Sequence, residues 1–214
     1  MHSFRKAFKD QAPLYVFVAV LFLVGVLFGA MMVSALSLEQ QQDIARYLNH
    51  FFVNLHEGGP ASGQSSFWEI ASLHLKWIGL IWILGLSVIG LPGILILDFL
   101  KGVLIGFTVG YLVGQYSWSG LLFALVSVAP QNMLMIPIVM MCSVTAIHFS
   151  LYMIRNRLLV QRGGSLAKPL MSYAITTGVM ALATLAAASF EMWVTPSMMR
   201  WVTPMLVQAT NLAF

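Results

Sequence analysis

The stretch Gly90-Leu91-Pro92-Gly93-Ile94-Leu95-Ile96-Leu97-Asp98-Phe99-Leu100-Lys101-Gly102 lies between two long apolar runs and carries the acid and base nearest the middle of the chain. Its Gly-Leu-Pro-Gly opening interrupts helical structure, because proline lacks the backbone donor and glycine relaxes the backbone. Asp98 and Lys101 follow within two helical turns. At the centre of a lipid-embedded helix each such charge costs about 2.5–3.5 kcal/mol on insertion scales, and freed backbone groups must be satisfied within the protein. The stretch is therefore either a hairpin at a membrane edge or a site inside the membrane.

The residues around it establish that a membrane is involved. The chain is 59% hydrophobic and only 8% charged, against about one quarter charged in soluble domains, and its mean hydropathy is +0.86. With about 20 apolar residues per crossing, 214 residues make five or six helices and one modest polar segment. The expected fold is a single all-α domain over 1–214: a polytopic helix bundle with about five crossings, a broken or re-entrant helix and a cytoplasmic N-terminus. No separate soluble enzyme domain fits. The single cysteine, Cys142, sits in an apolar run and reads as a small buried hydrophobe.

Working back from the central stretch, the preceding crossing starts at about Trp77 and continues through the Gly90–Gly93 break towards Leu97. Ser66 with Glu69 makes a capping box ahead of it. Upstream, Leu14 to Leu36 is the first crossing; it is longer than a signal h-region and is read as an uncleaved anchor. Arg5, Lys6 and Lys9 before it place the N-terminus in the cytoplasm. Gly25 and Gly29 give this helix a small-xxx-small face. Between the two crossings, residues 37–57 form an extracytoplasmic amphipathic helix. Ser37 and Gln40 cap it, while Ile44, Leu48, Phe51, Phe52 and Leu55 recur at helical spacing. Phe51, Phe52 and Leu55 are candidate partner contacts. Residues 58–63 are a flexible Gly-Pro-Ser loop.

Working forward, Gly102, Gly106, Gly110 and Gly114 repeat every fourth residue. Glycine lets another helix approach closely, which matters where lipid removes the hydrophobic drive between helices. The pattern is read as a packing spine, with Gly25 and Gly29 as a second such face. Ser117-Trp118-Ser119 is a turn on the outer side. From Gly120 to Met153 the apolar run is too long for one helix and is interrupted at Pro130-Gln131-Asn132. The economical reading is a half-helix from Gly120 to Ala129 that dips in and turns at Pro130, then a full crossing from Met133 to Met153. Gln131 and Asn132 are available to satisfy the freed backbone. Arg155, Arg157, Arg162 and Lys168 make a cytoplasmic loop, and the last crossing spans about Met171 to Phe190. Thr195-Pro196 signals a new helix. The tail at 192–214, with Trp193 and Trp201, is expected at the outer interface.

Counting crossings moves Asp98 and Lys101 to the cytoplasmic edge, within snorkelling distance of water. Three apart on one helix, they are a candidate ion pair. Pro92, Pro130, Gln131 and Asn132 are the candidate helix breaks. His148 is read as a helix-packing histidine, and His50, His56 and His74 are too scattered for a metal site. Neither HExxH, GxSxG, a Walker motif nor CxxC occurs, so no catalytic, metal or cofactor residues are assigned.

Several segments are specific as well as apolar. Leu14-Tyr15-Val16-Phe17-Val18, Trp82-Ile83-Leu84-Gly85, Ile89-Gly90-Leu91-Pro92, Phe99-Leu100-Lys101-Gly102, Gly106-Phe107-Thr108-Val109-Gly110, Val126-Ser127-Val128-Ala129-Pro130-Gln131-Asn132 and Ser189-Phe190-Glu191 together resemble the stage II sporulation protein M family, in order and over nearly the whole chain. The resemblance implies a multi-pass protein of endospore-forming bacteria. Its role would be a non-enzymatic scaffold at the sporulation septum and the engulfing membrane of the mother cell. Its implied partners are stage II sporulation proteins D and P, which cut peptidoglycan, together with membrane lipid. Nothing in the sequence indicates nucleic acid, and a homo-oligomer is compatible with it. Distant relatives carry a His after the first proline of the broken segment and a Glu two positions before the second; this chain has Gln131 and Met135 there. The competing expectation is a small-solute or ion transporter or channel, in which Asp98, Lys101 and the Pro130 break line one path.

Overall fold

The computed structural model describes residues 2–56, 67–87, 90–155 and 167–211, with side chains for 11–50, 67–87, 90–155, 167–194 and 197–198. The six α-helices are α1 (His2–Met32), α2 (Leu38–His56), α3 (Phe67–Gly85), α4 (Gly90–Ser127), α5 (Ala129–Met153) and α6 (Ala167–Asn211), and no strand is present among the described residues. All but α2 are long and apolar enough to cross a membrane. The loop at 58–63, most of the basic loop after Arg155, and the side chains of Phe51, Phe52, Leu55 and Trp201 lie outside the described residues.

Contacts between helices fix the direction of each. Phe22, Val26 and Ala30 of α1 meet Gly102, Gly106 and Gly110 of α4, rising together, so α1 and α4 are parallel. Leu84 of α3 meets Gly90 and Gly93 of α4 across a tight hairpin, so those two helices are antiparallel. Ala146 and Ser150 of α5 pair with Gly85 and Ser87, making α5 parallel to α3. Tyr173 and Glu191 of α6 bond Trp82 and His74, making α6 antiparallel to α3. The chain therefore traverses the bundle five times in alternation. Arg155 and Lys168 mark one end, which the charge rule assigns to the cytoplasm.

The central stretch forms the expected hairpin. The second crossing ends at Gly85, earlier than Leu97, and Ile94–Leu97 belong to the next helix. Gly90 is required there: a Cβ would strike the Leu84 carbonyl. Pro92 falls in the first turn of α4, where a missing donor costs nothing.

The chain reverses within α4, at Ser117, the one non-glycine residue with positive φ among those described (φ 49°, ψ −125°). The following short limb folds back, placing Gly120 against Leu112 and packing Phe123 and Ala124 around Leu112, Val109, Tyr116 and Leu48 of α2. At Pro130 the chain bends and does not turn. Val128 keeps right-handed helical dihedrals, its N–H bonds Ala124, and its carbonyl accepts from the Asn132 main chain. The Asn132 side chain donates to the same oxygen at 2.8 Å. Of the two readings, broken and re-entrant, the structure gives the broken helix, because helical dihedrals cannot reverse a chain.

At the far end Ser37 and Gln40 form the reciprocal capping box, at 3.1 and 3.3 Å. Tyr111 of α4 donates to the Gln41 carbonyl at 2.9 Å, holding α2 against the bundle. The helix expected to restart at Thr195 does not: α6 is continuous for 45 residues. At 1.5 Å per residue that is about 67 Å, roughly twice the hydrocarbon thickness.

Candidate functional site

One ridge of α4, taken every fourth residue, is buried: Gly90, Ile94, Asp98, Gly102 and Gly106. Its upper part meets α1. Added Cβ atoms at Gly102 and Gly106 would collide with the Phe22 and Val26 carbonyls, and at Gly25 and Gly29 with those of Phe99 and Val103. The two glycine faces expected from sequence are thus two sides of one seam. Gly110 completes it against Ala30, whereas Gly114 faces open space and takes no part.

Asp98 continues this ridge downward. It is 2% exposed, and Ser143 of α5 donates to its Oδ1 at 2.7 Å, while Oδ2 has no hydrogen-bond partner among the described residues. Lys101 does not pair with it. The ammonium instead lies 5.4 Å from the ring centroid of Trp77 on α3, a cation–π contact, and Glu191 of α6 acts on it electrostatically. A rotation of about 60° between positions three apart sends the two side chains to different neighbours. Both residues also lie well inside the bundle, away from its Arg155 end. Asp98 lies eight residues, about 12 Å, along α4 from Gly90, and its partner Ser143 is ten residues short of Met153.

A second polar contact joins α3 to α6. His74 Nε2 and Glu191 Oε2 are 3.0 Å apart, with the side chains 2% and 14% exposed, and His74 Nδ1 is buried without a partner among the described residues. The helix begins at Phe67, where the Ser66–Glu69 pattern places its start, and it buries His74 three residues before the expected entry into lipid at Trp77. Together with Lys101 and Trp77 these residues tie α3, α4 and α6 at one level. Chemically they offer one carboxylate in contact with one imidazole nitrogen, with an ammonium near enough to feel it electrostatically, in partly buried surroundings. No group of three or more His, Cys, Asp or Glu able to hold a metal occurs among the described residues.

The Pro130 break does not join this constellation. Ser143, which marks the level of Asp98, lies eleven residues along α5 from Asn132, about 16 Å. Of the candidate partner contacts, Phe51, Phe52 and Leu55 fall on the described backbone of α2, at the end of the bundle opposite Arg155.

No curated protein and no solved structure matches this chain. The family model of Stage II sporulation protein M matches residues 18–196. The interval runs from the Val18 end of the glycine seam to just past Glu191 and so takes in every polar contact described above. Five membrane-length helices and a match across most of the chain lead to one conclusion: this is a multi-pass, sporulation-related membrane protein belonging to the stage II sporulation protein M family.

Proposed function

We propose that this chain is a non-enzymatic membrane scaffold that recruits or positions peptidoglycan hydrolases, stage II sporulation proteins D and P, for engulfment at the sporulation septum. The observation that carries the reading is α2. An amphipathic helix outside the membrane is capped by Ser37 and Gln40 and fastened to the bundle by Tyr111, so its position is set by the membrane domain. It also packs on α6, the helix that runs past the membrane on the same side. A fixed extracytoplasmic helix is what a platform presents to a partner in the intermembrane space.

The transporter reading asks the central charges and the Pro130 break to line one path. Their separation of about 16 Å along α5, and the engagement of Asp98 with Ser143, favour the scaffold.

Pull-down from cells co-expressing both hydrolases tests the proposal. Recovery of at least one with the full chain is expected, and failure to recover either overturns it. Within that assay, alanine at Phe51, Phe52 and Leu55 is expected to reduce recovery while leaving membrane abundance unchanged. Undiminished recovery would remove α2 as the contact.

A further inference from the structure

The outward stripe of α5 is apolar for most of its length, with Met133 78% exposed, Leu134 41% and Leu151 47%. Two positions depart from this. His148 and Arg155 are both exposed and have no hydrogen-bond or ion-pair partner among the described residues. Seven residues apart, they lie about 10 Å apart along the chain, with Arg155 two residues past the end of α5 in a wider, π-type turn. Leu151 lies between them on the same stripe.

In a membrane this placement is unusual. The rest of the stripe meets acyl chains, and an imidazole facing hydrocarbon forfeits its hydrogen bonds at a cost of roughly 1–3 kcal/mol or more. Burial inside the bundle would remove that cost, and the chain buries Val144 one turn earlier and Ile147 beside it, but not His148. Arg155 stands at the end that the charge rule assigns to the cytoplasm, at headgroup level. His148, about two turns and 10 Å deeper, has its backbone just below the ester level, since the interfacial region of one leaflet is about 5–7 Å thick, and its ring reaches back towards the esters. A glycerophospholipid presents a phosphate above its ester carbonyls, all of them acceptors, in the same order of depth as Arg155 and His148, and the two side chains close the remaining distance.

We propose that His148 and Arg155 form a binding site for an anionic phospholipid of the inner leaflet. Arg155 holds the phosphate with charge-assisted hydrogen bonds, a ring N–H of His148 donates to an ester carbonyl, and Leu151 packs on the first methylenes of the acyl chain. Exposed Lys168 at the start of the adjacent α6 adds positive charge at the same end. The phosphate is that of a lipid, because a free phosphate would not reach the depth of His148. This site is independent of the scaffold reading, since it lies at the opposite end of the bundle from α2.

Native mass spectrometry of the full-length protein released from detergent, titrated with phosphatidylglycerol or phosphatidylcholine, tests it. Wild type is expected to retain phosphatidylglycerol preferentially, and Arg155→Gln to weaken that retention about fivefold. His148→Leu, an apolar replacement on a lipid-facing stripe that leaves the core untouched, is expected to weaken it as well and to keep the melting temperature. Arg46→Gln removes the same charge from exposed α2 and is expected to change nothing. Equal retention of the two lipids, an equal loss in Arg46→Gln, or displacement by millimolar inorganic phosphate would overturn the proposal. So would a photo-crosslinker at 148 that captures a polypeptide helix in place of lipid.

Discussion

The seam between α1 and α4 and the polar contacts beneath it hold the same helix by opposite means. Along the seam, Gly25, Gly29, Gly102 and Gly106 bring backbone against backbone, and the attraction is the sum of many small dispersion contacts. Below and beside it, single directional bonds do the work: Ser143 to Asp98, and His74 to Glu191. The seam tolerates no added atom and needs no particular chemistry. The polar contacts tolerate small shifts, but each loses its purpose when one partner is removed. The two modes should therefore fail differently, and substitutions can separate them.

The largest effect is expected at Glu191. Replacing it with alanine strands His74, whose other ring nitrogen already lacks a partner, and takes away the carboxylate acting on Lys101. Leaving a buried hydrogen-bonding group without its partner costs about 1–3 kcal/mol, and more where the lost partner is charged. Glu191→Gln keeps an acceptor for His74 and is expected to cost visibly less. Denaturant titration of the purified protein, followed by near-UV signal, gives both values. If Glu191→Ala unfolds with the wild type, α6 is held by its apolar contacts and the Tyr173 hydrogen bond without help from Glu191.

Next comes the seam. Gly106→Ala adds one methyl group where the Val26 carbonyl already stands, and backbone on both sides prevents it from swinging away. Overpacking of this kind costs about 1–3 kcal/mol. A cysteine cross-link between the outer ends of α1 and α4 should form more slowly in the variant. Unchanged cross-linking together with unchanged stability would mean that the seam is looser than its geometry implies.

A smaller loss is expected from Ser143→Ala. It removes the single hydrogen bond that Asp98 accepts among the described residues, and inter-helix hydrogen bonds in membranes are worth about 0.6–2 kcal/mol. Asp98→Asn keeps that bond and leaves the ridge shape intact. The double variant, compared with the two singles, gives the coupling between α4 and α5. A coupling near zero would reduce Asp98 to a space-filler on the ridge.

These contrasts also explain what could be read before the structure was known. The seam was legible because glycine at a spacing of four has one physical meaning, and two such faces lay on neighbouring crossings. The capping box at Ser37 and the turn at Ser117 were legible for the same local reason. The burial of Asp98 is legible too: counting crossings alone puts it at an edge, but continuing the ladder downward from Gly102 gives Asp98, Ile94 and Gly90, all of them buried. His74 and Glu191 were not legible. They lie 117 residues apart, and nothing in either helix states how the two are rotated or tilted towards each other. The direction taken at Pro130 was likewise open, since a proline removes one hydrogen bond without deciding whether a chain bends or reverses.

The smallest expected effect is the most discriminating about the ladder itself. Gly114 belongs to the same period as Gly102, Gly106 and Gly110, so a reading from spacing alone gives all four equal weight. The structure does not: an added Cβ at Gly114 meets nothing within 4 Å, and the residue is exposed near the end of its limb. Alanine there should relieve the conformational freedom of glycine in a helix, a gain of up to about 1 kcal/mol, with no steric cost to oppose it. Gly114→Ala is therefore expected to be as stable as the wild type or slightly more so, while the identical change at Gly106 destabilises. Loss of stability at Gly114 would mean that a helix outside this chain packs there, and the seam would then continue into an assembly. Equal behaviour at the two positions would show that spacing, and not contact, was the better guide.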